Sequence, residues 1–364
     1  MVYYILTALA CVGLGLLVRE NSIYAGRGEA VSRSKRQEML NKTAAFGIFF
    51  ILTFISGTRI AVGNDFWVYR DNFERIANSL VVSSEIGFNL IVKIVQWFAG
   101  YDNYMPIFFV FSLITVYFFV KALYDESEWF AASAFLLLTN GFYFSSLNTV
   151  RYYLVFAVAL YSLKLVINDK HLQFIALIVC AATIHMTVLI VIPLYYLAKV
   201  NFKKRDIPLA VIFSALLILL REPVRKLVFV IYPYYEGSYL DDYDISYVNI
   251  LKAAAVLVFT LIFYRQCIKD NVVNRFYFNL NIGALIVFSC LWYLPETTRI
   301  GYYLSASNIF LIPSVIKGIK DKRTRIFFAT VIALFYIVFF AFYLSTLDSV
   351  EIRILPYRNW FFAR

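Results

Sequence analysis

The sequence predicts an all-α, polytopic integral membrane protein of about 12 transmembrane or re-entrant helices. Three observations carry that expectation. Of the 364 residues, 62% are hydrophobic and 19% aromatic, and the mean hydropathy is +0.72. The apolar residues fall in blocks of about 17 to 22, the length a helix needs to cross a hydrocarbon core of roughly 30 Å. The blocks are continuous rather than alternating, which excludes a β-barrel, the other fold able to satisfy its backbone in lipid.

The first block, Val2 to Val18, lacks a basic leading region and a small-x-small cleavage site, so it reads as a retained helix. The net charge of +11 resembles a nucleic-acid signal, but the basic residues cluster in short loops between apolar runs. That is the positive-inside pattern, and no nucleic-acid partner is expected. The loop Arg19 to Lys42, the run Lys199 to Arg205, Arg265 to Arg275 and Lys317 to Arg325 are therefore expected in the cytoplasm. The elements 63–85, 221–247, 295–299 and 348–364 are expected outside. No Gly-, Pro- or Ser-rich linker divides the chain, so residues 1–364 read as a single polytopic membrane domain. Cys11, Cys180, Cys267 and Cys290 show no paired spacing and read as small core residues.

The second block, Thr43 to Val62, still contains Arg59 when Gly63-Asn64-Asp65 interrupts it. Phe66, Tyr69, Phe73, Ile76, Ala77 and Leu80 then recur at helical spacing with charges between them. This predicts a short helix, Phe66–Leu80, lying flat at the membrane surface. Asp65 stands where such a helix takes its N-cap, and Arg59 where a snorkelling anchor would sit. Both residues also suit chemistry, because ionisable groups within membrane spans default to function.

The middle of the chain allows two arrangements. If Ile86–Gly100 is re-entrant and Leu172–Ala198 is a hairpin broken at His185, Arg151 and His185 share the outer face with Arg59 and Asp65. If Ile86–Gly100 crosses and Leu172–Ala198 is one helix, Arg151 faces the cytoplasm. Lys164 and Lys170 favour the first. Asn148, before Arg151, suits a cap for the helix that follows it. Glu296 and Arg299, after Pro295, are spaced to pair on one helical face. The outer loop containing Tyr235 and Asp241 combines aromatic rings, which stack on sugar faces, with carboxylates that accept hydroxyl hydrogen bonds.

Several arginines, one histidine and carboxylates gathered at one membrane face describe an anion site, since arginine matches phosphate oxygens and keeps its charge. Phosphate-binding glycine loops, metal-binding motifs and hydrolase motifs are absent from the sequence, so no metal or other cofactor is expected. Arginine-based phosphate recognition points to a lipid-linked pyrophosphate substrate.

The ordered motifs Arg59-x3-Gly63-x-Asp65-x3-Tyr69-x3-Phe73, Glu85-x-Gly87-Phe88-Asn89, Asn148-x2-Arg151, His185-x3-Leu189-x3-Pro193, Glu296-x2-Arg299-x3-Tyr303 and Pro356-Tyr357 resemble the EpsG-type, Wzy-like polysaccharide polymerases. These act in capsule, O-antigen and exopolysaccharide assembly. The sequence departs from that pattern at Ile86, where proline is usual, and at Tyr152, where glutamine usually follows the arginine. The resemblance implies a GT-C-like glycosyltransferase of the bacterial cytoplasmic membrane, with its active site facing the periplasm or cell exterior. Its donor and acceptor would be undecaprenyl-pyrophosphate-linked glycans, and a flippase and a chain-length regulator would share its pathway. On this basis Arg59, Arg151 and Arg299 are expected to hold pyrophosphate, with Asp65, His185 or Glu296 taking the acceptor proton. Tyr69 and Tyr303 would position these groups, and Glu85, Asn148, Tyr235 and Asp241 would contact substrate.

Competing expectations are an O-antigen ligase or another GT-C transferase, a lipid-linked oligosaccharide flippase, and a structural subunit without chemistry. Ligases often carry an outer loop larger than Arg221–Tyr247. A two-half transporter predicts an internal repeat, and none is evident in the sequence.

Overall fold

A computed structural model describes residues 1–19, 34–78, 85–101, 103–202, 204–231, 233, 236–237, 245–349 and 352–362. Among these the fold is all-α, apart from one isolated β-bridge between Arg59 and Asn359. The helices are α1 (Val2–Gly15), α2 (Lys35–Gly57), α3 (Asp65–Ala77), α4 (Ile86–Ala99), α5 (Met105–Glu126), α6 (Phe130–Thr139), α7 (Phe142–Ser145), α8 (Val150–Ile167) and α9 (His171–Ala182). There follow α10 (Val191–Lys199), α11 (Ile207–Leu219), α12 (Arg221–Ile231), α13 (Tyr247–Ile262), α14 (Val272–Cys290), α15 (Thr297–Ser305), α16 (Asn308–Gly318) and α17 (Lys322–Thr346). Five of them, α2, α5, α8, α14 and α17, are long and apolar enough to cross a membrane, and several shorter apolar helices accompany them. The chain is an integral membrane protein. Its backbone groups are satisfied within helices, as the hydrocarbon core demands.

The chain forms two compact units, residues 1–189 with 316–364, and residues 190–315. In the first unit α5 and α8 run parallel, with Phe119 against Phe156 and, nearer both C-terminal ends, Lys164 paired with Asp125. α2 runs antiparallel to α5: Ser56 bonds Ser112 at 2.8 Å, and Arg59 lies over the Phe108 ring. The C-terminal end of α2 and the N-terminal ends of α5 and α8 therefore share one end of the bundle. α3 lies across that end with Phe66, Tyr69, Phe73 and Ile76 buried and Asp71, Glu74 and Arg75 exposed. This is the amphipathic pattern read from the sequence, although the helix begins at Asp65 and Leu80 lies outside the described residues.

α4 does not cross the unit. Its Phe88 packs on Phe73 and Phe111, and Gln96 Nε2 donates to the Phe73 carbonyl at 2.8 Å. Just after α4, the start of α5 packs on α3 through Tyr104 and Phe108 against Phe66. α4 thus returns the chain to the end it started from. The helical run of α9 also stops short, at Ala182, and His185 stands in the break before a 3-10 turn, Met186–Ile190. Within the first unit Arg151 and His185 therefore stand at the same end as Arg59 and Asp65.

The stretch 58–64 has lost helical partners and finds new ones in the C-terminal tail. Ile60 N–H donates to the Arg358 carbonyl, Gly63 N–H to Arg353, Asn64 N–H to Ile352, and Trp360 N–H to Thr58, all at 2.9–3.0 Å. Tyr4 and Tyr357 hydroxyls close the clasp on the Ile354 and Ile55 carbonyls. Gly63 has φ +93°, and a Cβ there would lie 2.7 Å from the Leu147 carbonyl oxygen. Only glycine fits this nesting of 58–64 against 147–148.

Arg59 is 1% exposed, so it does not snorkel to the surface. Its Nε donates to the Leu147 carbonyl at 3.1 Å, and Nη1 to the Ser56 carbonyl and to Ser112 Oγ. Among the described residues it has no ion pair. The physical reason is geometric: α2 ends at Gly57, so the next turn folds inward and its guanidinium supplies donors to carbonyls freed at the helix end. Asp65 is likewise corrected. The residue preceding α3 is Asn64, whose side chain makes no capping bond. The Asp65 N–H is instead taken by Asn148 Oδ1 at 2.9 Å, so Asn148 serves α3 rather than its own helix. Cys11, Cys267 and Cys290 are buried as expected of core residues, whereas Cys180 is exposed on α9.

The second unit contains α10 to α15 and most of α16. Asparagines line its helix contacts. Asn274 Nδ2 donates to the Cys267 carbonyl and its Oδ1 accepts from Ser314, while Asn281 receives Asn308 Nδ2 and donates to the Ala253 carbonyl. Between membrane helices such bonds contribute about 0.6 kcal/mol each on average. The stretch expected to be an outer linker, Arg221 to Tyr247, opens with the amphipathic helix α12.

Arg59→Met should lower the thermal midpoint and membrane abundance of the protein, because each buried acceptor left unpaired costs roughly 1–3 kcal/mol. Lys42→Met breaks only an exposed i,i+4 pair with Glu38 and should leave the midpoint nearly unchanged. Thermal unfolding in detergent compares the two, and equal midpoints would contradict the scaffold role.

Candidate functional site

The side chains that converge at this end of the first unit are Glu85, Arg151 and His185, and three local features bring them together. Glu85 immediately precedes α4, whose first turn is pressed against the end of α9. Gly87 N–H donates to the Thr183 carbonyl at 2.8 Å, and a Cβ on Gly87 would fall 2.1 Å from Thr183 Oγ1. The break after α9 turns His185 toward that junction. Arg151 lies in the first turn of α8, its backbone N–H donating to the Tyr69 hydroxyl at 3.3 Å. Its guanidinium sits over the rings of Phe88 (5.0 Å) and Tyr69 (5.9 Å).

Glu85 is the hub. Its Oε2 accepts from Arg151 Nη1 at 2.6 Å. Its Oε1 lies 2.9 Å from His185 Nδ1 and accepts the Met186 N–H at 3.1 Å. The Glu85, His185 and Arg151 side chains are 10%, 16% and 27% exposed. Burial alone would raise the Glu85 pKa. The hydrogen bond and charge of His185, the Arg151 guanidinium and the Met186 N–H outweigh it and hold the carboxyl below its ordinary value. A charged carboxylate can only accept, so His185 Nδ1 carries a proton toward it, and in the neutral imidazole the lone pair is then on Nε2. Nε2 is buried with no hydrogen-bond partner among the described residues. A carboxylate-oriented imidazole with an open Nε2, beside a half-buried guanidinium, is equipped to take a proton next to an anion. The Tyr152 ring meets the imidazole edge-on at 6.2 Å, and Ile86 is exposed. Both departures from the family pattern therefore lie beside this constellation.

The remaining expected residues divide by position. Tyr69 is buried and holds Arg151, the positioning role expected of it. Asp65 is half-buried at the first turn of α3, and Asn148 fixes its backbone. Arg59 is a scaffold residue behind them. Glu296, Arg299 and Tyr303 belong to the second unit. There Arg299 Nε pairs with Glu296 Oε2 at 2.6 Å, but Glu296 precedes α15 in a left-handed conformation, φ +58°. The pair therefore spans a turn rather than a helical face. Strained non-glycine backbone of this kind clusters at functional sites. Tyr303 is buried, and its carbonyl accepts the Tyr195 hydroxyl at 3.1 Å. Tyr235 and Asp241 lie outside the described residues. Among the described residues no three His, Cys, Asp or Glu side chains stand close enough to hold a metal ion.

Sequence reasoning missed the centrality of Glu85 and the part played by Gly87 and Met186. The signal available was Glu85-x-Gly87: a carboxylate two residues before a glycine at the start of an apolar run marks a helix end meeting another backbone closely.

A family model described as the EpsG family matches residues 42–359, a span that includes all of these residues. Neither a curated protein nor a solved structure matches the chain. With the family match running over most of its length, the chain belongs to the EpsG family.

Proposed function

We propose that the protein is a polysaccharide polymerase of exopolysaccharide assembly, a glycosyltransferase joining undecaprenyl-pyrophosphate-linked repeat units at the outer face of the bacterial cytoplasmic membrane. The observation that carries this reading is the Arg151–Glu85–His185 constellation in a chain of the EpsG family. In this proposal the acceptor hydroxyl attacks the anomeric carbon of the donor glycan while the bond from that carbon to the pyrophosphate oxygen breaks. The hydroxyl proton passes to His185 Nε2, and the imidazolium formed is stabilised by Glu85. The departing pyrophosphate carries away the electron pair and gains negative charge, which the Arg151 guanidinium offsets. Preorganised charge of this kind often contributes more to the rate than any other single effect. Asp65, in the first turn of α3, is assigned to binding the sugar hydroxyls. About 12 membrane-embedded segments in a GT-C-like arrangement would frame the site. A flippase would supply its substrates, and a chain-length regulator would limit its product.

His185→Ala and Glu85→Gln should leave the protein in the membrane at normal abundance and leave single repeats on the lipid carrier. A base contributes roughly 10²–10⁴-fold to rate. Full-length polymer from both variants, normalised to abundance, would overturn the proposal, and repeats trapped at the inner leaflet would indicate a flippase.

Glu85 also gives a signed pH dependence. Its folded-state pKa is lowered, so its stabilisation is complete above the ordinary glutamate value of about 4.3. It is lost as pH falls through the lower folded value. The stability gap between wild type and Glu85→Gln should therefore be constant from about pH 5 to 8 and close in acid. A gap that instead widens in acid would mean the carboxylate is not held charged.

Gly87→Ala should act like Glu85→Gln without touching a polar group, because its Cβ drives α4 away from Thr183 and draws Glu85 off His185. Thr183→Ala in the same chain should restore part of the polymer. Unchanged glycan length in the single variant would remove α4 docking from the site's requirements.

A further inference from the structure

The end of the first unit opposite Glu85 carries a second feature that the proposed chemistry does not use. A cavity of about 520 Å³ lies where α1 ends, α5 passes to α6 and α17 begins. Among the described residues its lining holds Arg19, Lys317 and Arg325 with one acidic residue, Glu128, and the exposed indole of Trp129. Leu16, Phe130, Ile326 and Ala329 line its apolar part. The walls are fixed. Asn41 clamps the Arg19 backbone in both directions, accepting its N–H at 3.1 Å and donating to its carbonyl at 2.8 Å. Gly15 sits flush on Ala131, where a Cβ would lie 3.1 Å from the Ala131 Cα. Lys317 Nζ donates to the Glu128 carbonyl at 3.1 Å, and Asp321 caps the start of α17 through the Thr324 N–H at 2.7 Å. Among the described residues none of the three cations forms an ion pair.

An excess of positive charge at the mouth of an apolar cleft fits a ligand with an anionic head and a hydrocarbon tail. The outer face of α17, with Phe327, Val331, Leu334, Phe335 and Val338 exposed, places that cleft against lipid, and a tryptophan at its rim suits the membrane interface. We infer that this cavity binds one anionic phospholipid. Its phosphodiester lies among Arg19, Lys317 and Arg325, and an acyl chain lies along Leu16, Ile326 and Ala329. A zwitterionic headgroup brings an ammonium to the same cations and is disfavoured. The loop charges around this end read as cytoplasmic, so the lipid would belong to the inner leaflet, where basic pockets between helices recognise acidic headgroups.

The test uses the full-length protein in detergent, titrated with short-chain phosphatidylglycerol or phosphatidylcholine and followed by thermal unfolding and native mass spectrometry. Phosphatidylglycerol should bind saturably and raise the midpoint more than phosphatidylcholine does. Lys317→Gln with Arg325→Gln should weaken that binding by roughly tenfold or more, given the contribution of each cation near a headgroup. Lys42→Gln should not. Ala329→Trp keeps every charge but fills the cleft, so it should weaken binding even if the charge variant folds poorly. Glycerol phosphate, which has no chain, should not raise the midpoint; stabilisation equal to that of the lipid would make this a soluble-phosphate site and overturn the lipid assignment. Equal binding of the two lipids, or binding unchanged in both the charge and cleft variants, would overturn the site. His185→Ala should bind phosphatidylglycerol normally, which separates this inference from the proposed chemistry.

Discussion

A buried guanidinium with no carboxylate partner among the described residues organises the first unit. Arg59 is held by the Ser56 and Leu147 carbonyls, the Ser112 hydroxyl and the face of Phe108. A lone cation is costly to bury, and it persists where every donor meets an oxygen and an aromatic face adds attraction. What it secures is the contact between the end of α2 and the 147–148 turn. From there the order of attachment is continuous. Leu147 is followed by Asn148, which holds the start of α3 at Asp65. α3 presents Tyr69, which holds the start of α8 at Arg151. Arg151 holds Glu85, and Glu85 orients His185.

The arrangement explains how reactive groups are kept rigid at the end of a membrane bundle, where helix ends leave polar backbone unsatisfied. Each end in this region borrows a partner from another segment: α3 from Asn148, α4 from the Thr183 carbonyl by way of Gly87, and the 58–64 stretch from the tail. The imidazole and guanidinium therefore stand on fixed backbone rather than on a free loop, which preorganisation requires.

Much of this was legible in the sequence, and the limits have physical causes. Hydropathy gives the membrane helices because lipid imposes one rule on every backbone group. The amphipathic α3 was legible because its periodicity is local. The sequence allowed two topologies for Arg151 and His185, and in the first unit both stand at the end that holds Arg59 and Asp65. The burial of Arg59 was not legible, because a snorkelling arginine and a buried one look alike until the carbonyls facing it are known. Asp65 was misread as a cap because the acceptor that serves α3 comes from Asn148, more than eighty residues away. Glu85 and Gly87 owe their importance to a close backbone approach, which one-dimensional spacing encodes only as a glycine. The Glu296–Arg299 pair was legible from spacing, and the left-handed turn that carries it was not.

The clasp between residues 58–64 and 352–362 also bears on biogenesis. Helices of a membrane protein enter the bilayer in the order they are made, so α2, α3 and α5 are in place long before the tail emerges. Until then the N–H groups of Ile60, Gly63 and Asn64 lack the carbonyls that they meet in the finished fold, and interfacial water must serve them. The segment that carries Arg59 toward the 147–148 turn is consequently completed only once residues 352–360 have been made. A chain halted before them inserts the preceding helices yet leaves this end of the bundle unlatched.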